Sequence, residues 1–176
     1  MERRLLYIPA FHIDANLINA RQKLSAVNQL EKWFADGVIL ISMSATAYGE
    51  ARTGGNEIRT RKANQHIFTT TAAIKPPEAA YKNVETILSP NGAQNENQRN
   101  DVRIVCEAEK YGAIFVTSDG SSKTQSGGIL GDRNKLKSLV SILSPDDAVE
   151  FVRQKIQERD ELNVALVEEF GGALPD

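Results

Sequence analysis

The sequence predicts an α/β fold with three layers, α/β/α, around a central, mostly parallel sheet of four to five strands. Four short apolar runs, rich in β-branched residues and without strict alternation, indicate strands that are covered on both faces. Helical patterns separate these runs, which is typical of βαβ units with right-handed crossovers. A chain of 176 residues, 41% hydrophobic and 25% charged, is long enough to bury one such core.

The predicted strands lie at residues 10–13, 38–42, 113–117 and 139–143. Pro9 cannot donate a hydrogen bond to a sheet, so the first strand should begin at or after it. Apolar residues at helical spacing predict a helix over residues 24–34, which Asp36-Gly37 ends.

The later helices are less regular in pattern. A short helix is expected near residues 78–88, and a second helix should open at Asp101 and close at Tyr111-Gly112. Ser144 has the features of an N-cap, with a proline and two acidic residues after it. The apolar stripe of the C-terminal helix breaks at residues 159–161, which predicts two helices or one long bent helix.

Composition excludes several classes of protein. The net charge is -2, so binding of a polyanion would have to depend on a local basic patch. The single cysteine, Cys106, excludes an internal disulfide framework and a cysteine-based zinc site, and its apolar surroundings predict a buried packing role. The N-terminal apolar run is short and is interrupted by Pro9, His12 and Asp14, so we expect neither a signal peptide nor a membrane span, and a cytoplasmic location.

Four carboxylates are predicted to meet at one edge of the sheet. Asp14 follows the first strand and Asp119 follows the third, and the carboxyl ends of parallel strands share an edge. Glu50 lies one to two helical turns after the second strand. Asp101 shares a helix face with apolar residues four and seven positions later, so it should point inward, whereas Glu107 and Glu109 are expected at the surface.

Three of the four acids also have a purely structural interpretation. Asp101 could cap its helix, Asp14 could cap a helix near Asn16, and Asp119 could open a turn. If all four converge, however, two charges about 5 Å apart repel by roughly 3 kcal/mol, and the cluster must hold protons or a cation. Oxygen ligands favour Mg²⁺ or Mn²⁺ over zinc, and His12 and His66 are expected to pack rather than to bind metal.

The motifs "HIDANLINA", "YGEAR" and "DVRIVCEAEKYGAIFVTSDG" resemble, in this order, the PIN (PilT N-terminus) domain of many toxin–antitoxin ribonucleases. The likeness spans residues 10–150 and implies a PIN-like nuclease domain over residues 1–157 with a C-terminal helical extension at residues 158–176. It implies a Mg²⁺- or Mn²⁺-dependent endoribonuclease that hydrolyses phosphodiester bonds. The metal ligands would be Asp14, Asp101 and Asp119, with Glu50 as a ligand or as a residue that orients metal-bound water.

The same resemblance makes Asn16 and Thr117 the expected supports of the metal-binding carboxylates. It implies RNA as substrate, and it makes an antitoxin protein and a second copy of the chain candidate partners. The number of metal ions and a role for Asp132 stay open. One alternative is a PIN-fold binding or assembly module without catalysis. A receiver or phosphatase-like domain is disfavoured, because Ala15-Asn16 follows Asp14 where such proteins need a second acid.

Basic residues flank the predicted acidic edge in sequence and are candidates for RNA binding, although an ordinary solvated surface explains them equally well. One group follows Glu50 and the other follows Asp119. The candidates are Arg52, Arg59, Arg61, Lys62, Lys123 and Arg133, with Lys135 and Lys137 in the second group.

Overall fold

A computed structural model describes residues 9–18, 23–53, 57–58, 61, 70–120 and 127–172. Its sheet contains four parallel strands in the order β2-β1-β3-β4. The strands are β1 (Ala10–Ile13), β2 (Leu40–Ser42), β3 (Ile114–Val116) and β4 (Ile142–Leu143). The predicted α/β class with a parallel central sheet is therefore confirmed, and the architecture is consistent with a PIN-like fold.

Helices cover both faces of this sheet. After a 3-10 helix (Ala15–Leu17) come α1 (Ser25–Ala35), α2 (Ala45–Thr53), α3 (Glu78–Leu88), α4 (Glu96–Lys110), α5 (Gly128–Gly131), α6 (Arg133–Leu136) and α7 (Pro145–Phe170). Side chains of β1 alternate between the layers: the ring of Phe11 meets that of Phe151 on α7, and His12 on the other face meets Tyr111 at the end of α4. The strand thus carries the core of both layers.

Helix α4 begins five residues before the predicted position. The side chain of Asn95 accepts a hydrogen bond from the backbone N–H of Gln98 at 2.9 Å and caps the helix. Asp101 therefore lies inside the helix, and the prediction that it opens the helix was wrong. Capping does not explain why an acid occupies this position.

Helix α7 is a single helix through residues 159–161. Ser144 caps it as predicted, since its Oγ accepts a hydrogen bond from the N–H of Asp147 at 3.1 Å. Two of the three polar residues that interrupt its apolar stripe, Arg159 and Glu161, are good helix formers, so the chain stays helical although its buried face ends. Val149 and Val152 are buried, whereas Leu162 is 44% exposed. An extension beginning at residue 158 remains a prediction, and the helix is continuous across that position.

Across the described residues, no helix is both long enough and apolar enough to cross a lipid bilayer.

Candidate metal centre

Asp14 leaves the end of β1 as a buried carboxylate. The backbone N–H of Asp14 donates to the carbonyl of Val116 on β3 at 3.0 Å, which fixes the residue against the neighbouring strand. Its Oδ2 accepts hydrogen bonds from Asn16 Nδ2 at 2.9 Å and from the hydroxyl of Thr117 at 2.6 Å. The predicted supports therefore both contact this carboxylate.

The hydroxyl of Thr117 joins the ends of β1 and β3. Besides donating to Asp14, it accepts hydrogen bonds from Asn16 Nδ2 at 3.2 Å and from the backbone N–H of Asp119 at 3.0 Å. Asn16 Oδ1 in turn accepts from the N–H of Ser118 at 3.3 Å. Thr117 is completely buried, so these bonds hold Asp14 and the backbone of Asp119 in one arrangement.

Asp119 is held from its other side by the start of α5. Its Oδ2 accepts a hydrogen bond from the backbone N–H of Ile129 at 2.8 Å, and its carbonyl accepts from the N–H of Leu130 at 3.1 Å. The carboxylate and the backbone carbonyl of Asp119 are therefore both held by backbone N–H groups of α5.

Glu50 reaches the same region from α2, where Asn100 of α4 contacts it. Asn100 Nδ2 donates to Glu50 Oε1 at 2.8 Å, and the guanidinium of Arg103 donates to Asn100 Oδ1 at 3.0 Å. Arg103 also pairs with Glu96 at 2.7 Å. Arg103, held in this way, fixes the orientation of the Asn100 amide that donates to Glu50. Sequence reasoning did not identify Asn100, and its position beside Asp101 was the one signal that pointed to it.

Glu107 corrects one prediction from the sequence. It is only 2% exposed, whereas Glu109 lies at the surface as expected. Its carboxylate accepts hydrogen bonds from the backbone N–H and the hydroxyl of Thr46, at 3.3 and 3.1 Å, in the first turn of α2. A carboxylate at this helix N-terminus satisfies a free N–H and favours the helix dipole, which explains its burial.

Two of the four predicted acids have raised pKa values, and the charges of other predicted acids contribute to both shifts. The pKa of Asp101 is raised from 3.8 to about 7, first by burial and then by the charges of Asp119, Asp14 and Glu50. Burial is also the main reason that the pKa of Asp14 is raised to about 6; the charge of Glu50 adds to it and the bond from Thr117 opposes it. We call Asp101 and the three acids whose charges act on it the acidic cluster.

The acidic cluster has no basic partner within the described part of the chain. Eight ion pairs are present among those residues, and none of them includes a member of the cluster. Asp132, left open above, pairs with Lys135 at 2.6 Å instead. Among the described residues, hydrogen bonds to Asp14 and Glu50 and proton uptake at a raised pKa therefore offset the negative charge of the cluster, and no basic side chain does.

The donor set suits a hard divalent cation. All four side chains offer oxygen, which Mg²⁺ and Mn²⁺ prefer. In the ranges that the structure describes, no three His, Cys, Asp or Glu side chains are close enough together to enclose one ion directly. Mg²⁺ commonly keeps several waters and binds through one or two carboxylates, so the cluster fits such an ion.

The two residues that could have offered softer ligands lie in the core. His12 is 2% exposed, its Nδ1 has no hydrogen-bond partner among the described residues, and burial lowers its pKa to about 4. Cys106 is buried, and burial raises the pKa of its thiol to about 11. His66 lies outside the described residues.

The candidate RNA-binding residues are only partly described. Arg52 and Arg61 are exposed, and the guanidinium of Arg52 lies over the ring of Tyr48, 5.4 Å from its centroid. Arg133 forms an ion pair with Asp147 at 2.6 Å, which reduces its charge for other partners. Arg59, Lys62 and Lys123 lie outside the described residues.

Comparison with known proteins gives a distant structural likeness. No family model matches the chain, and no curated protein matches it. A chain from the structure of FitAB bound to an IR36 DNA fragment is similar at 15% sequence identity and a TM-score of 0.48. The match covers 77% of the present chain and 94% of that chain.

Proposed function

We propose that this protein is a Mg²⁺- or Mn²⁺-dependent endoribonuclease of the PIN type. The observation that supports this most strongly is the acidic cluster. Its four carboxylates come from two strand ends and two helices, and the pKa of Asp101 is raised in part by the charges of the other three. Carboxylates whose pKa values are raised by burial and by neighbouring charges concentrate at functional sites.

Each residue of the cluster has a defined part in this proposal. Asp14, Asp101 and Asp119 would hold the metal, one or two of them directly and the others through its bound waters. The metal when bound would lower the pKa of water and neutralise charge that develops on phosphate. Glu50, held by Asn100, would be a further ligand or would orient the attacking water. Asn16 and Thr117 keep the carboxylate of Asp14 in one orientation, as supports of metal ligands do.

RNA is the proposed substrate because the motifs resemble those of PIN ribonucleases. The exposed guanidinium of Arg52, two residues from Glu50, would contact the phosphate backbone beside the cluster. We further propose a cytoplasmic toxin that is inhibited by an antitoxin protein and that associates with itself. Toxicity on expression, relieved by the product of a neighbouring gene, tests the toxin assignment.

Cleavage assays test the activity itself. Asp14→Asn and Asp119→Asn should each abolish Mn²⁺-dependent cleavage of single-stranded RNA, and the melting temperature should stay the same or rise as repulsion is removed. Asp160→Asn is the matched control, since this exposed acid pairs only with its neighbour Arg159 in the described structure. Full activity in either cluster variant would refute the proposed mechanism, and parallel assays on single-stranded DNA define the substrate class.

One observation favours a second candidate, a PIN-fold binding or assembly module without catalysis. No group of three potential ligands in the described residues is close enough together to enclose an ion directly. Isothermal titration with Mn²⁺ separates the two functions, because the nuclease should bind the ion with an affinity that Asp119→Asn removes. A module without catalysis should give no heat of binding at this edge.

A further inference from the structure

Two glycines bring the chain back onto Asp119. Gly120 and Gly128 both have positive φ angles, 84° and 68°. A Cβ atom at Gly120 would overlap the carbonyl oxygen of Gly127, and one at Gly128 would overlap Oδ2 of Asp119. The same Cβ at Gly128 would lie 2.8 Å from Cγ of Asp119 and 2.9 Å from the nitrogen of Gly120, distances that real Cβ atoms do not adopt. Only glycine fits at either position.

This close approach is what allows the backbone of α5 to reach the carboxylate. The N–H of Ile129 donates to Oδ2 of Asp119 at 2.8 Å, and Oδ2 is the atom that a Cβ at Gly128 would displace. From the strand side, the N–H of Asp119 is fixed by the hydroxyl of Thr117. With the backbone of Asp119 held there, a Cβ at Gly128 would make the carboxylate rotate about its own side-chain bonds and would also make the backbone at Gly120 shift.

We propose that Gly128 is a positioning residue for Asp119. Its missing side chain lets the carboxylate turn toward Ile129, and in this orientation its charge acts on Asp101. The consequence for metal binding rests on the proposed function. Supports of metal ligands typically change metal affinity 10- to 100-fold when they are removed.

The test compares two glycine-to-alanine variants with the same backbone strain. Gly128→Ala introduces both a positive-φ alanine and the overlap with Asp119. Gly37→Ala is the matched control, because Gly37 has φ of 73°, lies in the turn that enters β2, and has no atom within 4 Å of the Cβ that alanine would add. Both variants should lose thermal stability, as each places alanine in the left-handed region, and Gly128→Ala should lose more because of its overlap with Asp119 and with the nitrogen of Gly120.

Two measurements separate them further. In the metal-free protein, Gly128→Ala should speed hydrogen exchange of the Ile129 amide at least tenfold, because its acceptor is displaced. In titrations with Mn²⁺, the same variant should bind the ion at least tenfold more weakly. Gly37→Ala should change neither quantity. If Gly128→Ala does not fold, Gly128→Asn repeats the comparison, since asparagine tolerates positive φ and still carries a Cβ.

The outcomes distinguish this inference from the proposed function. Unchanged Mn²⁺ affinity in a folded Gly128 variant, with a wild-type protein that binds the ion, would overturn the positioning role. A wild-type protein that binds no Mn²⁺ refutes the proposed function, and the inference is then decided by exchange of the Ile129 amide alone. If the Ile129 amide exchanges as slowly in the Gly128 variant as in Gly37→Ala, the positioning role is overturned in that case as well.

Discussion

Replacing Asp101 by asparagine should stabilise the protein at neutral pH. The side chain keeps its size but loses the charge that faces Asp119, Asp14 and Glu50. At low pH the original residue is protonated and therefore resembles asparagine, so the two proteins should have nearly equal free energies of unfolding. A difference in the free energy of unfolding should appear only at pH values at which Asp101 ionises.

The pKa of Asp101 gives the size and the pH window of this effect. Its value in the folded protein is about 7, against an ordinary value of 3.8. Because the folded state binds the proton more tightly than the unfolded chain does, ionisation destabilises the fold progressively from about pH 4 to about pH 7. A change in pKa of this size corresponds to about 4 kcal/mol, and solvent screening at a half-buried side chain reduces it to about 2 kcal/mol.

Urea denaturation across pH 4–8 in the absence of divalent ions measures this difference. Asp101→Asn should have the same free energy of unfolding as the wild-type protein near pH 4 and a larger one at pH 8. At pH 8 its melting temperature should be about 4–8 °C higher. Glu109→Gln is the control, because it removes the same charge from an exposed position of the same helix. Equal stability of Asp101→Asn and wild type at pH 8, or a difference that does not depend on pH, would refute the idea of coupled carboxylates.

Three further substitutions test the supports of the cluster. Thr117→Val removes a buried hydroxyl and should cost about 1–3 kcal/mol in denaturation, whereas Thr86→Val, at an exposed hydroxyl, should cost much less. Glu107→Ala should cost about 2 kcal/mol or more because it leaves a helix N–H unpaired, and an unchanged midpoint relative to Glu109→Ala would contradict its capping role. Asn100→Leu should weaken Mn²⁺ binding about tenfold by calorimetry; an affinity equal to wild type would exclude it as a support.

Predictions from the sequence were most accurate where a rigid element fixes the position of a side chain. Asp14 and Asp119 follow parallel strands, so the topology alone determines that both reach one edge of the sheet. Helical periodicity placed Asp101 on an inward face, although the start of α4 was placed too late. The capping side chain of Asn95 lies in a polar stretch without apolar periodicity, and the pattern gave no reason to extend the helix to it.

The prediction for Glu107 was wrong because α4 is covered on more than one side. Consecutive residues 104–108 are all buried, since the sheet, α2 and α3 together enclose this part of the helix. A helical wheel assumes one buried face and one solvated face, and it cannot identify an acid that is buried against the end of another helix. The close approach of Gly128 to Asp119 could not be predicted from the sequence either, because it depends on the path of the chain between β3 and α5.

Helix α4 fixes the geometry of the acidic cluster through two separate contacts with α2. Asn100 holds Glu50, and Glu107, two turns further along α4, holds Thr46, one turn earlier on α2. A single contact would let α2 pivot about it, and a second contact one turn away along α2 opposes that motion. Since α4 also carries Asp101, the separation of Glu50 from Asp101 is set by these bonds against the repulsion of the two charges.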